Sequence, residues 1–233
     1  VRGVPNVKKA FAKVWETDDL LTSFDGVSLW RPWNIDPSWK TQSGQAWFHI
    51  DQHPISKPGK QCIQGLINLL PTSKEIGGNV VIPKSHNFFQ DIPDEYKERV
   101  ERLPLDIDHF RFPHDDPKLS SEPAVMAHME PGDMLLWDSR TIHCSSSGSS
   151  LPEGTNDLIR AASLICMMPK ELSSKEILEK RIHAAENLVS TTNWTNDFRN
   201  ADEFPIILEA ENRDQYKWPK KPNLSDYQKE LIA

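Results

Sequence analysis

The sequence predicts a mainly β fold with flanking α-helices: a jelly-roll barrel of the cupin kind. Two observations predict it. From Phe24 onward, short runs rich in Val, Ile, Leu and Trp alternate with Pro, Gly, Ser and Asp, which is strand-and-turn chemistry. Those runs follow one another without long helices between them, as in a jelly roll. The length of 233 residues suits a single domain. A hydrophobic content of 37% supports a modest core, filled in bulk by 8 Trp and 9 Phe.

The elements follow in order. Residues 1–23 read as a helical segment, because Val7, Ala10, Phe11 and Val14 fall at helical spacing before a polar Glu-Thr-Asp-Asp group. Residues 24–170 read as the barrel. Its strands are expected near 27–33, 45–51, 61–70, 78–83, 123–129, 133–138, 140–146 and 158–168, with Gly77-Gly78-Asn79 and Pro131-Gly132-Asp133 as turns. Within the barrel, 87–122 breaks the β pattern and holds a helix across 93–102. A connection of that length is expected to be an insertion or lid. Residues 171–233 read as a helix and tail. Ser174 caps a helix reaching about Val189, with Ile177, Ile182, Ala185 and Val189 on one side. The polar tail after Thr191 is expected to wrap the surface.

Charge and cysteine content narrow the function. The net charge is −7 and the densest basic patch is Lys217 to Lys221, unlike the clustered basic face of a nucleic-acid binder. No apolar stretch is long enough to span a bilayer. A small-molecule substrate, no nucleic-acid partner, no membrane and a monomer or homodimer are therefore expected. Three cysteines, Cys62, Cys144 and Cys166, do not make a disulfide framework, so a reducing, cytoplasmic setting is expected. The chain begins Val1-Arg2-Gly3 without an initiator Met. It reads as a trimmed or partial chain from which an upstream targeting segment could be missing.

The chemistry concentrates in two segments. His49-Ile50-Asp51 ends the run Ala46-Trp47-Phe48, which reads as a strand. Residues i and i+2 of a strand point to one face, so both side chains can aim at one ion. His143 ends the run from Met134 to Ile142 and can lie opposite the pair on an antiparallel neighbour. Two His and one carboxylate hold one face of Fe(II) and leave the other open. A catalytic zinc site uses the same donors. A zinc or manganese cupin-type hydrolase or isomerase, or a barrel that binds a ligand without turnover, thus stays open. His114-Asp115-Asp116 repeats the pattern, but between Pro113 and Pro117 nothing fixes its direction.

Further residues carry weaker signals. Arg160 lies in the apolar strand Leu158 to Cys166. It needs either an ion pair with Asp133 or Asp138 or a ligand carboxylate, which Arg binds through two parallel hydrogen bonds. Gln64 and Asn68 share strand parity and can face the barrel interior, either as a satisfied amide network or as contacts to a cosubstrate. Arg140 reads first as the partner of Asp138. Arg31 and Trp33, in Leu29-Trp-Arg31-Pro-Trp33, are candidates for the mouth.

Taken together, His49-x-Asp51, Gly78-x-Val-Val-Ile-Pro83-x-Ser-His86, Gly132-Asp133-x-x-x-Trp137, His143 and Arg160 resemble the phytanoyl-CoA dioxygenase-like family over roughly residues 25–170. The resemblance implies a double-stranded β-helix and an Fe(2+)- and 2-oxoglutarate-dependent oxygenase that uses O2. It makes His49, Asp51 and His143 the iron ligands and Arg160 the partner of the 2-oxoglutarate C5 carboxylate. It makes Pro83-x-Ser-His86 a structural turn, with His86 no ligand. It implies C–H hydroxylation with succinate and CO2 as coproducts, and Asp51 favours that over halogenation, since related halogenases lack the carboxylate. The sequence departs from the family in the long Ser/Gly-rich stretch between His143 and Arg160, and in Ala162 where some relatives carry a polar residue. Nothing suggests a cradle for coenzyme A.

Overall fold

Side-chain alternation along short strands decides this architecture. The computed structural model describes residues 1–40, 47–198 and 221–233. In chain order, α1 (Pro5–Trp15) is followed by β1 (Leu20–Thr22), β2 (Val27–Trp30), β3 (His49–Asp51), β4 (Ile63–Asn68) and β5 (Gly77–Val81). Two short helices, α2 (Ile92–Glu95) and α3 (Lys97–Glu101), precede β6 (His109–Arg111) and β7 (Val125–Met126). Then come β8 (Met134–Asp138), β9 (His143–Ser147), β10 (Arg160–Pro169), α4 (Lys175–Asn187) and α5 (Asp226–Glu230).

The chain divides into two units, residues 27–163 and residues 1–26 with 164–233. The first is the jelly roll. One antiparallel sheet runs β6-β3-β9-β5-β7. In the other, β4 lies between β8 and the beginning of β10, and β2 pairs with β10 from Arg160 to Ser163. Every strand expected here is present, though shorter than read; residues 45 and 46 lie outside the described residues.

The β6-β3-β9-β5-β7 sheet has two different faces. Ile50, Phe110, Cys144 and Val80 join Phe48, Ile82 and Ile142 in one buried apolar cluster. The residues between them, His49, Asp51, His109, His143 and Ser145, point the opposite way, because strand side chains alternate. The apolar face is covered by Phe89, Ile92, Val100, Phe112 and Leu119, all from segment 87–122. The expected helix over 93–102 is the pair α2 and α3, and the segment also supplies β6 as an edge strand. Tyr96, Phe110 and Phe112 meet edge to face at 5.3–5.7 Å, the arrangement that aromatic quadrupoles favour. Gly77 lets β5 close on β9: at φ 99° an added Cβ would collide with the Ser146 carbonyl.

The second unit is built around Arg181. Val7 and Phe11 of α1 are buried as expected, whereas Val14 is exposed. The Ser174 side chain caps α4 by accepting from the Ile177 amide. The buried face of α4 differs from the one expected: Arg181 and Ala184 are buried, and Ile182 is exposed. The reason is polar rather than apolar. The Arg181 guanidinium donates to the carbonyls of Thr22, Thr195, Leu231 and Ile232, and it lies 4.7 Å from the Phe24 ring centre. β1 pairs with Met167–Pro169 where the sequence suggested helix and polar linker. Much of the tail, 199–220, lies outside the described residues.

Phe110→Ala removes the ring that ties α2–α3 to the sheet without touching the polar face. It should cost about 3–5 kcal/mol, read as a lowered denaturation midpoint at unchanged m-value.

Candidate metal centre

The polar face of the sheet brings His49, Asp51 and His143 together. β3 supplies the first two, and register pairs His49 directly with His143 on β9. One ligand atom from each lies within 4.8 Å of the others. His49 Nε2 is 3.5 Å from Asp51 Oδ1, and His143 Nε2 is 3.3 Å from Asp51 Oδ2.

Both imidazoles are oriented by the backbone just upstream. His49 Nδ1 lies 2.9 Å from the Trp47 carbonyl, and His143 Nδ1 lies 2.8 Å from the Thr141 carbonyl. A carbonyl only accepts, so each Nδ1 must carry the proton and donate. In the neutral rings Nε2 then presents a lone pair toward Asp51. Burial would raise the Asp51 carboxyl, but with protons on the facing imidazole nitrogens the charge and hydrogen bonds of His49, His109 and His143 outweigh it and hold it well below the usual carboxylate range. Two Nε2 atoms and a carboxylate converging on one point need positive charge among them, supplied by protons on the rings or by a metal ion that replaces those protons. The donor set therefore fits a metal ion, with its histidines oriented through the far nitrogen as metal-binding histidines commonly are.

The opposite sheet closes the site. Gln64 on β4 donates to Asp51 Oδ2 at 2.9 Å, and the Trp137 ring on β8 lies 5.3 Å from the His143 ring. Trp47 stacks on His49 at 5.1 Å and donates to the Ser145 carbonyl. Arg160 is 1% exposed. Its Nη1 lies 3.3 Å from Ser145 Oγ, its plane lies 4.4 Å from the Trp30 ring centre, and its Nε has no partner among the described residues. Burial pushes the guanidinium down to about 10 with no carboxylate opposing it. Neither expected ion pair forms: Asp138 binds Arg140, and Asp133 accepts from the Glu130 amide.

The other sequence candidates sit elsewhere. The Asn68 amide donates to Thr72 Oγ1 and, at 3.4 Å, to the Met129 carbonyl, so it serves a loop rather than the cluster. Arg140 grips Asp138 through two bonds of 2.8 and 2.7 Å. The Asp138 backbone carbonyl also accepts from the Thr141 amide, which fixes the turn that delivers His143. Arg31 is exposed and lies over Trp39 at 4.0 Å, while Trp33 is buried under Lys40. His109 escaped the sequence reading. Its Nδ1 lies 3.4 Å from Asp51 Oδ1 and its ring 4.3 Å from that of His49. The only available signal was alternation over His109-Phe110-Arg111-Phe112, which three-residue β6 barely displays.

A jelly roll with a His-Asp-His cluster between its sheets defines a cupin-type protein with a candidate metal site. The phytanoyl-CoA dioxygenase (PhyH) family model matches residues 30–151, and the chain belongs to that family. Ava biosynthesis cluster protein O of Aspergillus versicolor is 34% identical over 199 residues, covering 82% of this chain and 60% of that protein. The chain spans about 60% of the length of the curated relatives it matches. Among solved structures, AviO1 from Streptomyces viridochromogenes Tue57 is 15% identical with a TM-score of 0.45, covering 72% of this chain and 59% of that one. SnoN, a non-heme alpha-ketoglutarate-dependent epimerase from nogalamycin biosynthesis, is 14% identical with a TM-score of 0.42, covering 72% of this chain and 54% of that one. Among the described residues, no helix is long and apolar enough to cross a membrane.

Hydrogen bonds from Arg140 hold the Asp138 carboxyl below its ordinary value even though burial opposes them. Their stabilisation is complete above the unfolded carboxylate value of about 3.9 and is lost as pH falls through the lower folded value. Arg140→Ala should therefore cost about 1–2 kcal/mol at neutral pH. The gap to wild type in urea midpoint should narrow in acid.

Proposed function

We propose that this chain carries the catalytic barrel of an Fe(II)- and 2-oxoglutarate-dependent dioxygenase. It would hydroxylate or otherwise oxidise a C–H bond of a small organic molecule. The observation that carries the reading is Arg160. A fully buried guanidinium whose described contacts include no carboxylate costs several kcal/mol, and a ligand carboxylate is the partner such a group lacks.

Charge accounting agrees. A divalent ion and one guanidinium against the single carboxylate of Asp51 leave two positive charges uncompensated in one interior. A dicarboxylate supplies that charge. Arg160 reaches Ser145, two residues beyond His143 on the same face of β9. A ligand held at one end by the cluster and at the other by Arg160 would lie along that strand.

His49, Asp51 and His143 would hold the iron. When bound, Fe(II) with 2-oxoglutarate and O2 supplies the oxidant, with succinate and CO2 as coproducts. The protein's part is orientation. Trp47 and Thr141 aim the imidazoles, Gln64 holds one carboxylate oxygen, and Trp30 and Ser145 fix the guanidinium. The biosynthesis cluster in the Aspergillus relative's name agrees with a small-molecule substrate.

Wild-type protein should bind 2-oxoglutarate in the presence of Mn(II) by calorimetry and form succinate with Fe(II). His143→Ala should lose metal binding while remaining folded. Arg160→Ala should keep Mn(II) yet raise the 2-oxoglutarate requirement about a hundredfold or more, whereas Arg140→Ala changes it little. The reading fails if Mn(II)-loaded wild type ignores 2-oxoglutarate. Retention of Zn(II) with no 2-oxoglutarate binding would favour the hydrolase alternative.

A further inference from the structure

We propose that His109 is a positioning residue of this centre, holding the Asp51 carboxylate on its open side. The inference rests on reading the cluster as a metal site but not on the identity of the cosubstrate.

β6 pairs Asp51 directly with His109, so the two side chains share the polar face. The carboxylate then has a separate donor on each oxygen. Gln64 Nε2 donates to Oδ2 at 2.9 Å, and His109 Nδ1 stands 3.4 Å from Oδ1. Since a carboxylate only accepts, the proton lies on His109 Nδ1. The same ring lies against His49 at 4.3 Å and 42°. One side chain therefore touches two of the three cluster residues.

The location explains the need. The side chains of His49 and His143 are 7% and 6% exposed, but that of Asp51 is 25% exposed. His109, at 44%, stands on that exposed flank, on the edge strand of its sheet. Gln64 approaches from the opposite sheet and restrains only one oxygen. A carboxylate held at one oxygen can still turn about its terminal torsion, whereas a donor on each oxygen fixes its plane. Removing a group that orients a ligand typically costs about 10–100-fold in metal affinity. The ring is half in solvent and the core of β6 is filled by Phe110, so replacing His109 leaves the apolar cluster intact.

Mn(II) serves as the probe, with bound and free ion measured by electron paramagnetic resonance for wild type, His109→Ala, His109→Gln and His109→Phe. Thermal unfolding of each metal-free variant reports whether the fold survives. His109→Ala should weaken Mn(II) binding about tenfold or more at unchanged unfolding temperature. His109→Gln, which keeps an N–H donor, should recover most of that loss. His109→Phe, which keeps the ring against His49 but has no donor, should not recover it. The proposal is overturned if the Ala variant binds Mn(II) like wild type, if Phe rescues as well as Gln, or if wild type itself binds no Mn(II). Adding 2-oxoglutarate to the Mn(II)-loaded wild type separates the two readings. No cosubstrate binding alongside a clear His109 effect would sink the dioxygenase assignment and leave the role of His109 standing.

Discussion

The site depends on two hydrogen bonds of one kind. Trp47 and Thr141 each lie two residues before a histidine, and each presents its carbonyl to that histidine's Nδ1. This contact uses backbone, so it needs no particular side chain at 47 or 141. It fixes the tautomer and the ring direction together. Register then places the two histidines opposite each other across β3 and β9. Once both Nε2 atoms face the Asp51 carboxylate, the interior needs positive charge at that point, and a metal ion would supply it.

A polar interior needs stability from another source. Here the same strands supply it on their other face. Ile50 sits between His49 and Asp51, Cys144 follows His143, and Phe110 follows His109; all three are buried in the apolar cluster that segment 87–122 covers. That arrangement supports an interior whose buried polar atoms without partners among the described residues include Gln64 Oε1, Trp137 Nε1 and Arg160 Nε. Each such atom costs about 1–3 kcal/mol. Native cores rarely leave several together, and when they do the location is commonly functional.

The barrel was legible because period-2 alternation and turn residues mark its strands, and His49-x-Asp51 was legible because it sits on one of them. The partner of Arg160 was not legible. Asp133 and Asp138 were both offered for it, although Arg140 already read as the partner of Asp138, and the structure shows that Arg140–Asp138 pair formed. β6 was missed because three residues carry too little period inside a segment marked by Pro and Asp, and His109 was missed with it. The face of α4 was misjudged for a different reason. Apolar spacing assigned it to Ile182, whereas the demand for a donor among four carbonyls turned Arg181 inward.

Arg181 and Arg160 sharpen the argument for a ligand. Both are 1% exposed, and burial pushes both down to about 10. Arg181 spends its donors on four carbonyls in a wholly structural role. Among the described residues, Arg160 has one bond of 3.3 Å to a neutral hydroxyl and an Nε with no acceptor. Equal burial with unequal satisfaction at Arg160 is what a site that takes a ligand carboxylate would leave. The unused donors of Arg160 lie in the same interior as Asp51 and the two histidines, where a carboxylate-bearing molecule would gain most from both.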